Sequence, residues 1–131
     1  MITSAEEFMQ LRLSAEPDEY RRAATEEAPE AVWLDLIERF PEMREWAALN
    51  KTLPENVLWK LVRDEDRRVR FQVAMRRRLT EDMFSVLASD EDDGVRSRVC
   101  WNKRAPQPIL ERLAKDNSPM VAEAARRRLA Q

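Results

Sequence analysis

The chain nearly repeats itself at a fixed interval, and that interval limits what it can fold into. Residues 61–86, 87–112 and 113–130 overlay without a gap, so that Leu61, Leu87 and Leu113 coincide. Asp64, Asp90 and Asp116 also coincide, as do Val69, Val95 and Val121, and Val73, Val99 and Ala125. The spacing is 26 residues each time. A period in the range of about 20–50 residues belongs to stacked repeats, where each unit has an apolar face it cannot bury alone. Towards the N-terminus the register loosens. Pro29-Glu30-Ala31-Val32-Trp33 matches Pro54-Glu55-Asn56-Val57-Leu58 at 25 residues, whereas Met43-Arg44 matches Val69-Arg70 at 26. The missing residue falls in the turn around Phe40-Pro41, which absorbs it more easily than a helix does.

Each unit reads as two short helices. Val69, Val73 and Ala74 stand at i, i+4, i+5, and Met83, Phe84 and Leu87 at i, i+1, i+4. Both sets fall on one side of a 3.6-residue helix. A single Gly, and no long run dominated by Val, Ile and Thr, argue against hairpins and sheets. Thr3 or Ser4 can cap a first helix, with Glu6 or Glu7 completing a capping box. Thr80, Asp92 and Ser118 are further caps, and Pro17, Pro41, Pro54, Pro106 and Pro119 suit first turns. The expected fold is all-α, a single domain over 1–131. A capping helix fills 1–16, helix pairs fill 17–40, 41–65, 66–91 and 92–117, and a half-repeat closes 118–131. Phe8, Leu11 and Leu13 give the first helix its apolar side. Trp33, aligned with Leu58, Phe84 and Leu110, belongs in the core. Trp101, aligned with Leu49 and Met75, is expected there too. Cys100, aligned with Ala48 and Ala74, is expected to be a small buried packing residue.

Composition bears on chemistry. There is no histidine, and Cys100 is the only cysteine, so no internal disulfide can form. The sequence has no Gly-rich phosphate loop and no HExxH or CxxC pattern. We therefore expect no enzyme, no cofactor and no metal site. No apolar run approaches the roughly 18 residues of a membrane span, and the acidic start MITSAEEF has no signal-peptide pattern. The expectation is a cytoplasmic protein, monomeric by itself and not associated with membranes.

The stretch from Leu61 to Arg128 resembles the leucine-rich repeat variant family: an LAxD step, a VRxxVA helix, then an Asn and a Pro before a second helix. Here it reads LASDEDDGVRSRVCWNKRAPQPILERLAKD. It is also similar to HEAT repeats, whose Asp and Val-Arg positions recur as Asp64 with Val69-Arg70 and Asp90 with Val95-Arg96. The resemblance implies a right-handed α-solenoid of about four to five helix pairs with a shallow concave face. Small bacterial proteins of this build include immunity proteins that neutralise a toxin encoded beside them, such as a secreted nuclease. Others are alkylpurine DNA glycosylases with a HEAT-like fold. Some members carry a cysteine-rich iron–sulfur segment, which this chain lacks.

Several residues then stand out. Arg44, Arg70 and Arg96 each open a first helix, with Asp64, Asp90 and Asp116 ahead of such helices. An Arg–carboxylate ladder between units would fix their stacking. Lys51, Arg76-Arg77-Arg78, Lys103-Arg104 and Arg126-Arg127-Arg128 close first helices, where positive charge complements the helix dipole or tracks phosphates. Residues 1–40 hold ten acids against four Arg, net −6, while 41–131 are net +4. An acidic half attracts a basic partner. Trp59 aligns with polar residues in other units, as does Trp46, so both should reach the surface. Trp59 should lie near Leu34, with Asp35, Glu38 and Glu55 close by. Partly exposed Trp beside charge is the usual composition of a binding hot spot. The functional expectation is a non-enzymatic protein-binding module, an immunity protein for a nuclease-type toxin domain, with contacts at Leu34, Asp35, Glu38, Trp46, Glu55 and Trp59. The alternative is a nucleic-acid-binding HEAT-like protein using the basic clusters.

Overall fold

The structure, a computed structural model, describes residues 1–131. Ten α-helices and one 3-10 turn make up its regular structure, and no residue lies in a strand. The helices are α1 (Ala5–Leu13), α2 (Pro17–Thr25), α3 (Glu30–Arg39), α4 (Arg44–Ala47) and α5 (Glu55–Val62), followed by α6 (Arg67–Ala74), α7 (Glu81–Leu87), α8 (Asp93–Cys100), α9 (Gln107–Leu113) and α10 (Pro119–Leu129). The 3-10 turn, Pro41–Met43, leads into α4. The chain divides into two compact units, residues 1–61 and 62–131.

Local chemistry sets the helix starts. The Ser4 hydroxyl accepts from the Glu7 N–H at 3.0 Å, and the Glu7 carboxylate accepts from the Thr3 N–H at 2.7 Å. This capping box closes one residue earlier than the usual form. Thr80 accepts from Met83 N–H, and Asp92 accepts from the N–H groups of Gly94 and Val95. Pro17 and Pro119 are the first residues of α2 and α10, where a missing N–H costs nothing. Ser118 departs from expectation. It sits at the N-cap of α10 without a capping bond, and its hydroxyl instead donates to Asp93 at 3.3 Å.

In residues 1–61, Ile2, Ala5, Phe8 and Leu11 are buried with Trp33, Leu36 and Ile37. Phe8 meets Trp33 edge-on, with ring centroids 5.3 Å apart at 73°. This is the geometry that aromatic quadrupoles favour. The Trp33 indole N–H has no hydrogen-bond partner, so apolar contact alone holds the ring. Leu13, expected on the apolar side of α1, is 68% exposed. It lies two residues past Leu11, about 200° around the helix.

In residues 62–131, α6 packs against α8 and α8 against α10, with α7 touching both α6 and α8 and α9 touching both α8 and α10. Val69, Val95 and Val121 are all buried, as are Leu87 and Leu113, and Val73, Val99 and Ala125. Cys100 is fully buried, its thiol aimed at the carbonyls of Arg96 and Val121. Trp101 is a correction: it is not in the core but 44% exposed, as its register mates Met75 (43%) and Leu49 (40%) are. The inner stripe of α8 is Val95, Val99 and Cys100. At 100° per residue, Trp101 lies about 240° from Val95, on the opposite side of the helix. Being apolar in step with Leu49 and Met75 did not make the position internal.

Candidate functional site

The residues nominated for partner contact all lie in 1–61. On α3, Leu34 and Asp35 are half-buried and Glu38 is exposed, and their spacing puts them on one face. On α5, Glu55 is exposed and Trp59 half-buried, four residues apart on one face. The two helices meet at their starts, where the Asn56 side-chain amide donates to the Glu30 carboxylate. Asp35 is held by Arg39 at 2.7 Å, and Arg39 also reaches Glu6 on α1 at 3.0 Å. That guanidinium keeps the Asp35 carboxyl below the usual range. Glu38 and Glu55 make no hydrogen bond or ion pair, so their charge is open to solvent. Trp46 stands apart from this group. The Arg12 guanidinium covers its ring at 3.6 Å and lies 4.4 Å from Tyr20, so Trp46 takes part in packing α1, α2 and α4.

The Arg and Asp positions form a continuous ladder in 62–131. Arg70 donates to the Asp90 carboxylate at 2.7 and 3.2 Å, and to the Asp64 carbonyl at 2.7 Å. Arg96 does the same 26 residues later, to the Asp116 carboxylate at 2.9 and 3.1 Å and to the Asp90 carbonyl at 2.7 Å. Each Asp also accepts from the backbone N–H two residues on: Asp64 from Asp66, Asp90 from Asp92, Asp116 from Ser118, all at 2.9 Å. A turn made by one carboxylate is thus tied by a bidentate guanidinium to the next. Hydrogen bonding to Asp90 raises the Arg70 pKa against the opposing effect of burial. At Asp116 burial works against the charge, but Arg96 and the Ser118 N–H prevail and hold the carboxyl below its usual range. The ladder is structural: both side chains of the Arg70–Asp90 pair are under a tenth exposed.

A second series of bonds joins helix ends, and the sequence alone did not reveal it. The Asn102 amide donates to the carbonyls of Ala74 and Arg76, both at 2.7 Å. One register step later Arg128 donates to the carbonyls of Cys100 and, at 2.8 Å, Asn102. In 1–61, Asn50 donates to the carbonyls of Ala23 at 2.8 Å and Glu26 at 3.0 Å. These groups satisfy carbonyls left open at helix C-termini. Asn102 is buried, and so is Asn50. Arg128, expected on a basic rim, is therefore partly committed to backbone.

The remaining chemistry is sparse. Burial pushes the Cys100 thiol up to about 11, so it is a poor nucleophile at neutral pH. No group of His, Cys, Asp and Glu is arranged to hold a metal ion. An open groove of about 590 Å³ lies beside Arg63, Ser85, Ser89 and Glu91, but its Arg70 and Asp90 are already bonded to each other. Arg112 crosses from α9 to the Ser85 hydroxyl and carbonyl, both at 3.1 Å. No helix is long and apolar enough to cross a membrane. Comparison with protein-family models, curated proteins and solved structures gives no match to this chain.

Proposed function

We propose that the chain is a right-handed α-solenoid of HEAT-like or leucine-rich-repeat-variant helix pairs that acts as a non-enzymatic protein-binding module. Its role in this reading is that of a cytoplasmic bacterial immunity protein, binding a nuclease-type toxin domain and blocking its active site. One observation carries the binding surface: Glu38 and Glu55 are exposed and unpaired, on the same helix faces as the half-buried Leu34 and Trp59. Unpaired carboxylates around a partly exposed indole suit a basic partner, speeding encounter by charge while the ring supplies the desolvated anchor. The charge balance agrees, since residues 1–61 hold 13 acids against seven bases. Nuclease domains need positive charge to hold nucleic acid, so an acidic surface competes for the same groups.

The test uses the C-terminal domain of the protein encoded beside this chain. Calorimetric titration should give a one-to-one complex, and the complex should lose the domain's toxic activity. Trp59→Ala should weaken binding by roughly 2 kcal/mol or more and leave thermal melting nearly unchanged. Unaltered affinity in that variant would remove the site, and failure to form any complex would remove the immunity role.

A further inference from the structure

A second surface, in residues 62–131, carries chemistry of the opposite sign. Phe71 and Met75 stand four apart on one face of α6 and its C-cap, 37% and 43% exposed. Trp101, one register step on from Met75, is 44% exposed at the end of α8. Two residues after Met75 and Trp101 come Arg77-Arg78 and Lys103-Arg104, all exposed. The two turns are bolted together, because Asn102 between Trp101 and Lys103 donates to the carbonyls of Ala74 and Arg76. The end of α10 is fastened to the same place by Arg128, which reaches the Cys100 and Asn102 carbonyls. The side chains of Arg77, Arg78, Lys103 and Arg104 make no ion pair or hydrogen bond.

We propose that this edge of residues 62–131 binds single-stranded nucleic acid. Trp101 and Phe71 would stack bases, and Arg77, Arg78, Lys103 and Arg104 would neutralise phosphates. Three features favour this occupant. The cations recur at two helix ends joined by Asn102 rather than at a single point, as a strand of regularly spaced phosphates requires. They are unpaired, so binding displaces counterions and not protein carboxylates. The interleaved groups are flat aromatic faces, which suit any unstacked base but find nothing to stack on in an intact duplex. An acidic protein segment would use the cations and leave the indole without a specific role. This surface is independent of the acidic one in 1–61, and either can fail without the other.

The experiment is fluorescence-anisotropy titration of the full chain against labelled oligothymidine and oligouridine, at 50 and 200 mM salt. A duplex of the same length and polyglutamate serve as competitors. Neutralising four phosphates predicts a slope of about −2.8 in log K against log salt, so affinity should fall roughly 50-fold between the two conditions. Trp101→Ala should weaken binding roughly 5- to 100-fold without shifting the melting temperature. The double variant Lys103→Glu, Arg104→Glu should flatten the salt slope. Binding of either oligonucleotide with these responses supports the assignment, and the two sugars differ only in preference. No salt-sensitive binding overturns it. So does a duplex competing as well as the single strand, a Trp101→Ala variant with unchanged affinity, or polyglutamate displacing the oligonucleotide at equal charge.

Discussion

Residues 62–131 use one fastening twice, whereas residues 1–61 use several, each once. In the later unit the Arg70–Asp90 and Arg96–Asp116 clamps have nearly the same distances and the same backbone partner six residues back. In the earlier one, Arg39 bridges Asp35 and Glu6, Arg12 lies against Tyr20 and Trp46, and Phe8 abuts Trp33. Arg22 at 2.6 Å, together with the N-terminal ammonium at 2.8 Å, draws the Glu26 carboxyl down to about 2. Arg44 shows where the two schemes diverge. It donates to the Ile37 carbonyl seven residues back, whereas Arg70 and Arg96 reach carbonyls six residues back. A regular register allows one geometry to be copied. Where it slips, each contact needs its own solution. The units also differ in charge, net −6 for 1–61 and net +4 for 62–131.

The comparison breaks most readily at the ladder. Arg70→Ala leaves the Asp90 carboxylate buried and unpaired, which should cost about 3–5 kcal/mol in urea unfolding. Replacing both partners, Arg70→Met with Asp90→Leu, should restore only part of that loss, because the Asp92 N–H and the Asp64 carbonyl also lose their partners. If Arg70→Ala costs less than 1 kcal/mol, the clamp is not what distinguishes 62–131. Next come the buried amides, a device both units share. Asn102→Ala strands two carbonyls and should cost about 1–3 kcal/mol. Asn50→Ala should match it, since it also releases two carbonyls of the preceding helix end. Unequal losses would show that similar bonds act differently in the two settings.

Acid sharpens the contrast further. Asp116 has a depressed pKa, so its contribution is complete above the ordinary value of 3.8 and is lost as pH falls through the lowered one. The stability gap between the parent and Asp116→Asn should therefore shrink below pH 3.8, as read by denaturant midpoints along a pH series. A gap that stays constant would assign the effect to packing. The smallest effect is expected from the single-use contacts. Arg12→Ala removes a cation–π contact with Trp46 and should cost about 1 kcal/mol, with a change in tryptophan emission.

Much of this was legible from residue types. The stripe Val69, Val73, Ala74 and its copies named the buried side of each first helix, because a 3.6-residue period leaves little choice of face. Thr80 and Asp92 named their own helix starts through hydrogen bonds made within three residues. The Arg–Asp ladder was readable too, since its members recur in step. Trp101 was misplaced because recurrence was taken for burial, while its angle around α8 already pointed away from the stripe. Leu13 failed for the same angular reason. Leu34, Asp35 and Glu38 share a face of α3 by spacing alone, but the cover that Arg12 gives Trp46 joins three helices and leaves no mark in sequence spacing.

By itself, the sequence determined what depends on neighbours along the chain: helical periods, caps, the turn-forming aspartates and the identity of the small residues that let helices approach. Only the tertiary structure decided how the basic groups are used. Arg128 is spent on the carbonyls of Cys100 and Asn102, while Arg77, Arg78, Lys103 and Arg104 are left to solvent. An open helix C-terminus attracts any nearby donor, and which donor reaches it is set by where the next helix end comes to rest.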